Sequence, residues 1–182
     1  MDYEVHEPLV KLTIDEDAIE GDLCIPEGAR GVVLFAHGAG SSRNSKRNNF
    51  IADELQREGL ATLLIDLLIT EEKRIDQQTR EIRFDIDRLA KRVPRTVDWL
   101  DEYENTKSLM IGVFGSSAGA AGTLIAVARR PEKVKTAVSR DCGWERHPGP
   151  CFRPTGNREN GDGYRTESHR RCRPFIWRTR RA

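Results

Sequence analysis

The sequence predicts an α/β fold, with a mostly parallel, doubly wound sheet, helices on both faces and an irregular C-terminal tail. Apolar strands alternate with amphipathic helices up to residue 139, which is the pattern of a sheet covered on both faces. The chain has 182 residues, enough for one domain with a proper core. Composition changes sharply afterwards, so we expect a partial α/β domain over residues 1–139 and an Arg-rich tail over residues 140–182.

The chain begins with three predicted strands. Residues 9–14 alternate between apolar and polar side chains, and residues 18–25 form the expected antiparallel partner, closed by Pro26. Residues 31–36 are apolar throughout, which indicates a strand buried on both faces. The order of elements therefore starts with a hairpin followed by a central strand.

A helix is predicted after the polar loop at residues 41–45, with Phe50, Ile51, Leu55 and Leu60 as its buried stripe and Gly59 as its stop. Residues 61–68 predict a second buried strand, and residues 71–78 a polar connection. Right-handed crossovers would then place the carboxyl ends of the parallel strands at one edge of the sheet.

A long helix is predicted next, because apolar residues recur at spacings of three and four. They are Ile82, Ile86, Leu89, Val93, Val97 and Leu100. Pro94 lies inside this pattern and has no backbone N–H to donate. We therefore expect a kink or break in the helix there, at a cost of about 3 kcal/mol. A strand from residue 109, a helix ending at Arg130 and a last strand over residues 133–139 complete the predicted fold.

Residues 115–119, Gly-Ser-Ser-Ala-Gly, stand between the predicted strand at 109 and the helix that follows it. Such a turn exposes the central serine, Ser117, at a helix N-terminus, where unpaired amides favour negative charge. We interpret Ser117 as a nucleophile. The alternative is an ordinary serine that caps the helix.

A second motif, His37-Gly38-Ala39-Gly40, follows the central strand and is the kind of loop that supplies an amide to an oxyanion hole. His37, Asp66 and Ser117 should converge at the carboxyl edge of the sheet. For His37 a structural hydrogen-bonding role is favoured over that of a base, and for Asp66 a turn or capping role is favoured. Three cationic residues stand near this edge, Arg43, Lys46 and Arg47. They would favour an anionic acyl substrate, or they are simply the solvated first residues of a helix.

Residues 8–139 resemble the α/β-hydrolase superfamily, and within it the dienelactone-hydrolase-like branch. The resemblance rests on residues 35–40 (Phe-Ala-His-Gly-Ala-Gly), Ile65-Asp66 and the motif at 115–119. It implies Ser117 as nucleophile and the backbone N–H groups of Ala118 and of Ala39 or Gly40 as the oxyanion hole. It implies hydrolysis of a small ester, lactone or thioester through an acyl-enzyme, with no cofactor and no metal. Dienelactone hydrolases usually carry cysteine at the elbow, so serine here implies acyl hydrolysis without that particular lactone.

The family pattern continues with two strands, an acid and a histidine, none of which is recognisable after Ser139. Residues 141–182 contain Ile176 but no Leu or Val, so we expect no strand there, an exposed sheet edge at residues 134–139 and low solubility. We interpret the change as a truncation or reading-frame change, which resequencing of the gene would test. His147 and His169, with Asp141 or Asp162, are conceivable triad members. Without a working histidine, turnover should be lower by about a millionfold.

The formal net charge of +1 hides a basic tail, because residues 140–182 carry 11 arginines and 5 acidic residues. An alternative function is therefore a non-catalytic protein whose tail binds nucleic acid or an acidic partner. No stretch is apolar enough for a membrane span and the N-terminus is not signal-like, which predicts a cytoplasmic protein. The four cysteines match no usual zinc spacing, so free thiols are expected.

Overall fold

The computed structural model describes residues 3–14, 17–38, 40–140 and 175–178. In chain order, the elements are β1 (Tyr3–Ile14), β2 (Asp17–Pro26), β3 (Gly31–Ala36), α1 (Lys46–Arg57), β4 (Ala61–Ile65), α2 (Thr70–Thr79), a short 3-10 turn (Ile82–Phe84), α3 (Ile86–Glu102), β5 (Met110–Ser116), α4 (Ala118–Arg129), β6 (Val134–Arg140) and β7 (Phe175–Arg178).

The described strands form a seven-stranded sheet in the order β1-β2-β4-β3-β5-β6-β7. Strands β4, β3, β5 and β6 are parallel, and β1, β2 and β7 pair antiparallel to their neighbours. All five residues of β4 are buried, as expected for a central strand covered on both sides. The predicted α/β class with a mostly parallel sheet is therefore confirmed.

Two apolar layers cover the sheet. Helices α3 and α4 pack on the larger core, to which α3 contributes Leu89, Val93, Val97 and Leu100, each at most 1% exposed. Helix α1 lies on the opposite face, where Ala52 packs with Phe35 and Leu64. The helices thus lie on both faces of the sheet, and no helix in the described part of the chain is long and apolar enough to cross a membrane.

Helix α3 is continuous across Pro94 and starts at Ile86, later than the pattern from Ile82 predicts. Of the expected kink or break at Pro94, the break is therefore wrong, and the kink stays a prediction. Buried leucine and valine side chains on both sides of the proline hold the two halves of α3 on one core, and this packing outweighs the lost backbone hydrogen bond. Ile82 lies in the 3-10 turn instead.

The predictions for α1 and α2 are wrong in part. In α1, Ile51 and Leu55 pack against the core as predicted, but Phe50 is 65% exposed. The buried positions of α1 are Asn48, Ala52 and Gln56, whose amide donates to Thr62 Oγ1 at 2.7 Å. The segment predicted as a polar connection is α2. Its buried face consists of two acidic residues, Glu72 and Asp76, so it shows no hydrophobic period.

A strand also exists where none was expected. Phe175–Arg178 pairs antiparallel with β6, with Val138 opposite Ile176, so β6 is not the exposed edge that the sequence predicts. Phe, Ile and Trp are strong strand formers, and a fourth parallel strand with an unpaired side offers them a ready partner. The other residues from 141 onward lie outside the described part of the chain, so the expected division between residues 139 and 140 stays a prediction.

Candidate active site

Ser117 occupies a strained turn between β5 and α4. Its backbone has φ 52° and ψ −121°, and a positive φ is uncommon for any residue other than glycine. Ser117 makes no side-chain capping hydrogen bond to the helix that it precedes. An ordinary N-cap serine would have extended backbone and bond the helix amides. The geometry therefore disfavours the capping alternative and leaves the half-buried hydroxyl uncommitted to α4.

The two glycines that flank Ser117 are required by close backbone contacts. A Cβ on Gly115 would lie 2.6 Å from the carbonyl oxygen of Gly119, and a Cβ on Gly119 would lie 2.5 Å from that of His37. Both contacts are with backbone atoms, which cannot move aside as a side chain can. The turn is thus pressed against β3 and its following loop, and only glycine fits.

The loop after β3 passes directly beside Ser117. A Cβ placed on Gly38 would lie 3.2 Å from Ser117 Cβ and 3.2 Å from the carbonyl oxygen of Ser116. The two sequence motifs are thus neighbours, as the parallel arrangement of β3 and β5 requires. Sequence reasoning predicted this juxtaposition from topology alone.

Of the predicted oxyanion donors, Ala118 and Gly40 lie in the described part of the chain. Ala118 is the first residue of α4, and the amides of a first turn have no partner within the helix. Gly40 adopts φ 74°, a conformation that favours glycine, and lines the adjacent cleft. Ala39 lies outside the described residues, so its predicted role stays a prediction.

His37 is buried and both ring nitrogens are engaged. Nδ1 lies 2.8 Å from the carbonyl oxygen of Gly38, and Nε2 accepts the amide proton of Leu67 at 3.1 Å. Burial lowers the pKa of His37, so the ring stays neutral. With Nδ1 protonated and Nε2 already accepting a hydrogen bond, this ring fixes the loop and is poorly placed to take a proton from Ser117.

Asp66 is a buried carboxylate, 1% exposed, that holds together three elements around the cleft. It accepts hydrogen bonds from the Arg43 backbone at 3.0 Å, from the Arg43 guanidinium and from Lys73 Nζ at 2.8 Å. Burial alone would raise its pKa, but the bonds from Lys73 and Arg43 lower it below the ordinary value. Arg43 also pairs with Glu20, so its charge is already neutralised.

A cleft of about 590 Å³ opens beside the loop at Gly38 and Gly40. Its wall is mostly polar and carries both signs of charge, from Arg43, Asp66, Lys73, Asp76 and Arg83, with Leu67, Leu68, Leu89 and Ala118 as its apolar part. Lys46 and Arg47, which the sequence placed near the site, are exposed and do not line the cleft.

Arg83 is a feature of the cleft that sequence reasoning missed. Its guanidinium is held against Asp76 by an Nε–Oδ2 bond of 2.8 Å, and Nη1 would lie 2.9 Å from a Cβ on Gly40. The signal that could have revealed Arg83 is the acidic face of α2, because buried carboxylates need cationic partners. His147, His169, Asp141 and Asp162 lie outside the described residues.

The described residues thus have the α/β-hydrolase fold, with a strained strand-to-helix serine turn beside a loop that carries glycines. Solved structures confirm the predicted resemblance to this superfamily and to its dienelactone-hydrolase-like branch. A dienelactone hydrolase from Anabaena variabilis is 50% identical, with a TM-score of 0.72 over 75% of this chain and 62% of that protein. This chain is therefore similar to somewhat less than two thirds of a dienelactone hydrolase.

More distant structures share the fold. Est1E from Butyrivibrio proteoclasticus is 15% identical, with a TM-score of 0.58 over 71% of this chain and 49% of Est1E. The metagenomic phosphotriesterase P91, described as dienelactone hydrolase-like and promiscuous, is 19% identical with a TM-score of 0.57, over 72% of this chain and 56% of P91. No protein-family model matches the chain.

Two Mycobacterium tuberculosis proteins, provisionally named phosphoribosyl transferases, are 46% identical to this chain over 122 residues. The match covers 67% of this chain but 27% of theirs. The chain thus spans about a quarter of these relatives, and their name describes proteins much longer than the segment in common.

Proposed function

We propose that this chain is a serine hydrolase of the α/β-hydrolase type, acting on a small ester, lactone or thioester through an acyl-enzyme on Ser117. The observation that carries the proposal is the backbone of Ser117, held at φ 52° with no capping bond from its side chain. Strain of this kind costs of order 1–3 kcal/mol and persists where the surrounding structure enforces it, which is common at active sites. Two glycines and a neighbouring loop enforce it here.

In the proposed reaction, Ser117 Oγ attacks the acyl carbonyl carbon and its proton passes to a base. The negative charge on the carbonyl oxygen is stabilised by the N–H of Ala118 and by that of Ala39 or Gly40. Loss of the alcohol or thiol leaves the acyl-enzyme, which water then hydrolyses. His37 is engaged through both nitrogens, so the base in this proposal is a histidine outside the described residues. His147 and His169 are the conceivable ones, but neither matches the recognisable family pattern, and without a working histidine we expect turnover to be lower by about a millionfold.

A covalent probe tests the nucleophile directly. A fluorophosphonate should label the full chain at Ser117, as located by peptide mass spectrometry. Ser117→Ala should abolish the labelling, whereas Ser116→Ala, at the adjacent hydroxyl, should keep it. Labelling that survives Ser117→Ala, or an unlabelled parent chain, would end this assignment.

Ser117 itself does not line the cleft, but its neighbours Gly38 and Ala118 do, so we take the cleft as the acyl site and expect its lining to set the size and polarity of the acyl group. The cleft has a volume of about 590 Å³ and five charged side chains in its wall. A long alkyl chain that entered it would displace water from these charged groups, which is unfavourable. We expect acetyl esters of p-nitrophenol to acylate Ser117 at least about tenfold faster than decanoyl esters, a difference of 1.4 kcal/mol in barrier. Burst kinetics measure this, and an equal or inverted preference would contradict a small polar substrate.

A further inference from the structure

A cluster of metal-binding side chains lies on the β1–β2 hairpin, apart from the serine turn. Its members are His6 on β1 and Asp22 and Cys24 on β2. Each offers one ligand atom, and these atoms all lie within 4.8 Å of one another. Among the described residues this is the one group of three or more His, Cys, Asp or Glu side chains that meets such a distance.

The strand register explains why the three side chains meet. His6 lies directly opposite Cys24 in the antiparallel ladder, and Asp22 is two residues from Cys24, so both project from the same face of β2. An irregularity in the pairing follows between Glu7 and Val10, and bulges of this kind re-aim neighbouring side chains. The backbone pairing therefore places the three side chains next to one another on one face of the hairpin.

Two of the three separations are close to those around a tetrahedral zinc ion, and small side-chain rotations would complete the set. His6 Nε2 lies 3.5 Å from Asp22 Oδ1, and Cys24 Sγ lies 3.9 Å from the same oxygen. Zinc bonds of 2.0–2.3 Å at tetrahedral angles place neighbouring ligand atoms about 3.3–3.8 Å apart. Imidazole nitrogen, carboxylate oxygen and thiolate sulfur are all ordinary zinc ligands, whereas a thiolate is a poor ligand for magnesium or calcium.

The local field also favours a cation. The Asp22 carboxylate lies beside Cys24 Sγ, and Asp53 on α1 adds a second negative charge near it. Negative charges of this kind attract a divalent ion. Asp22 and His6 are 30% and 49% exposed, so an ion can enter from solvent.

We propose that His6 Nε2, an Asp22 oxygen and Cys24 Sγ bind one Zn²⁺, with water as the fourth ligand. On binding, the Cys24 S–H bond breaks, an S–Zn bond forms and the proton goes to solvent. The ion would fasten β1, an outer strand of the described sheet, to β2. Cys24 pairs with Thr62 at the start of β4, whereas Asp66 follows the end of β4, so the metal lies away from the proposed catalytic edge.

The test must separate Cys24 from the tail thiols. The full-length chain carrying Cys142→Ser, Cys151→Ser and Cys172→Ser keeps Cys24 as its one thiol and serves as the reference protein. After chelator treatment it is titrated with Zn²⁺ and, separately, with Co²⁺, whose thiolate charge-transfer absorption reports the sulfur ligand. We expect uptake of one ion per chain, release of about one proton and a higher melting temperature.

Substitutions at the ligands should then remove the signal. In the reference protein, Cys24→Ser should abolish the charge-transfer band, and His6→Asn should weaken Co²⁺ and Zn²⁺ binding at least about tenfold. Asp53→Asn, a nearby carboxylate that is not a ligand, should change affinity less than His6→Asn. The half-exposed His6 gives a variant that should fold even if Cys24→Ser does not. No uptake by the reference protein, or uptake indifferent to His6→Asn, overturns the proposal.

Discussion

Replacing Gly119 by alanine is expected to destabilise the protein by at least about 3 kcal/mol or to prevent folding. The new Cβ would meet the backbone carbonyl oxygens of Ala36 and His37, the second at 2.5 Å. Contacts under 3.0 Å with backbone cannot be relieved by a rotamer change, so β3 and α4 would have to separate. Because that junction also forms the proposed site, any folded variant should lose fluorophosphonate labelling. Urea unfolding followed by circular dichroism measures the change.

Gly112→Ala in β5 is the matched control for this substitution. There the nearest atom to a new Cβ is a side-chain carbon of Thr136 at 3.5 Å, an ordinary van der Waals distance. We expect the unfolding free energy to change by less than about 1 kcal/mol, since alanine also restricts the unfolded chain. If Gly119→Ala is tolerated as well as Gly112→Ala, the conclusion that the serine turn packs closely against β3 is wrong.

Asp66→Asn is expected to cost about 3 kcal/mol of unfolding free energy, because it leaves Arg43 and Lys73 without their shared carboxylate beside the cleft. This cost is at the low end of the range for a broken buried ion pair because Lys73 is 32% exposed and retains some hydration. Glu71→Gln is the control, since Glu71 pairs with Arg74 on the open surface of α2 and should matter little. Equal effects of the two substitutions would show that burial adds nothing to the Asp66 interactions.

The same carboxylate should give stability a pH dependence of known sign. The pKa of Asp66 is lowered in the folded protein, so its ionised form contributes stability that is present above the unfolded value, about 3.9, and is lost as the pH falls through the folded value. Asp66→Asn should remove this contribution, making the acid-side fall in unfolding free energy shallower. An unchanged slope between the two proteins would contradict the assigned pKa shift.

Much of the fold followed from local pattern. The central strands were predicted because their runs of apolar residues suit burial on both faces, and the serine turn because two glycines flank Ser117 at a strand-to-helix junction. Helix α2 was missed because its inward face carries Glu72 and Asp76 in place of apolar residues. Glu72 becomes acceptable inside the protein because two arginines of α3 pair with it, Arg88 and Arg92, the second 2% exposed. Nothing in the local sequence reports such a partner.

What the sequence determined by itself was the class of fold and the neighbourhood of Ser117 and residues 37–40, because strand order, crossover handedness and glycine positions are local properties with fixed geometric consequences. What only the tertiary structure decided was how charge is distributed around that neighbourhood. Three features depend on residues that are distant in the chain. Arg43 pairs with Asp66 and not with a substrate, Phe175–Arg178 pairs with β6, and His6 lies beside Cys24. Such contacts are chosen by the balance of burial, pairing and desolvation in the folded state.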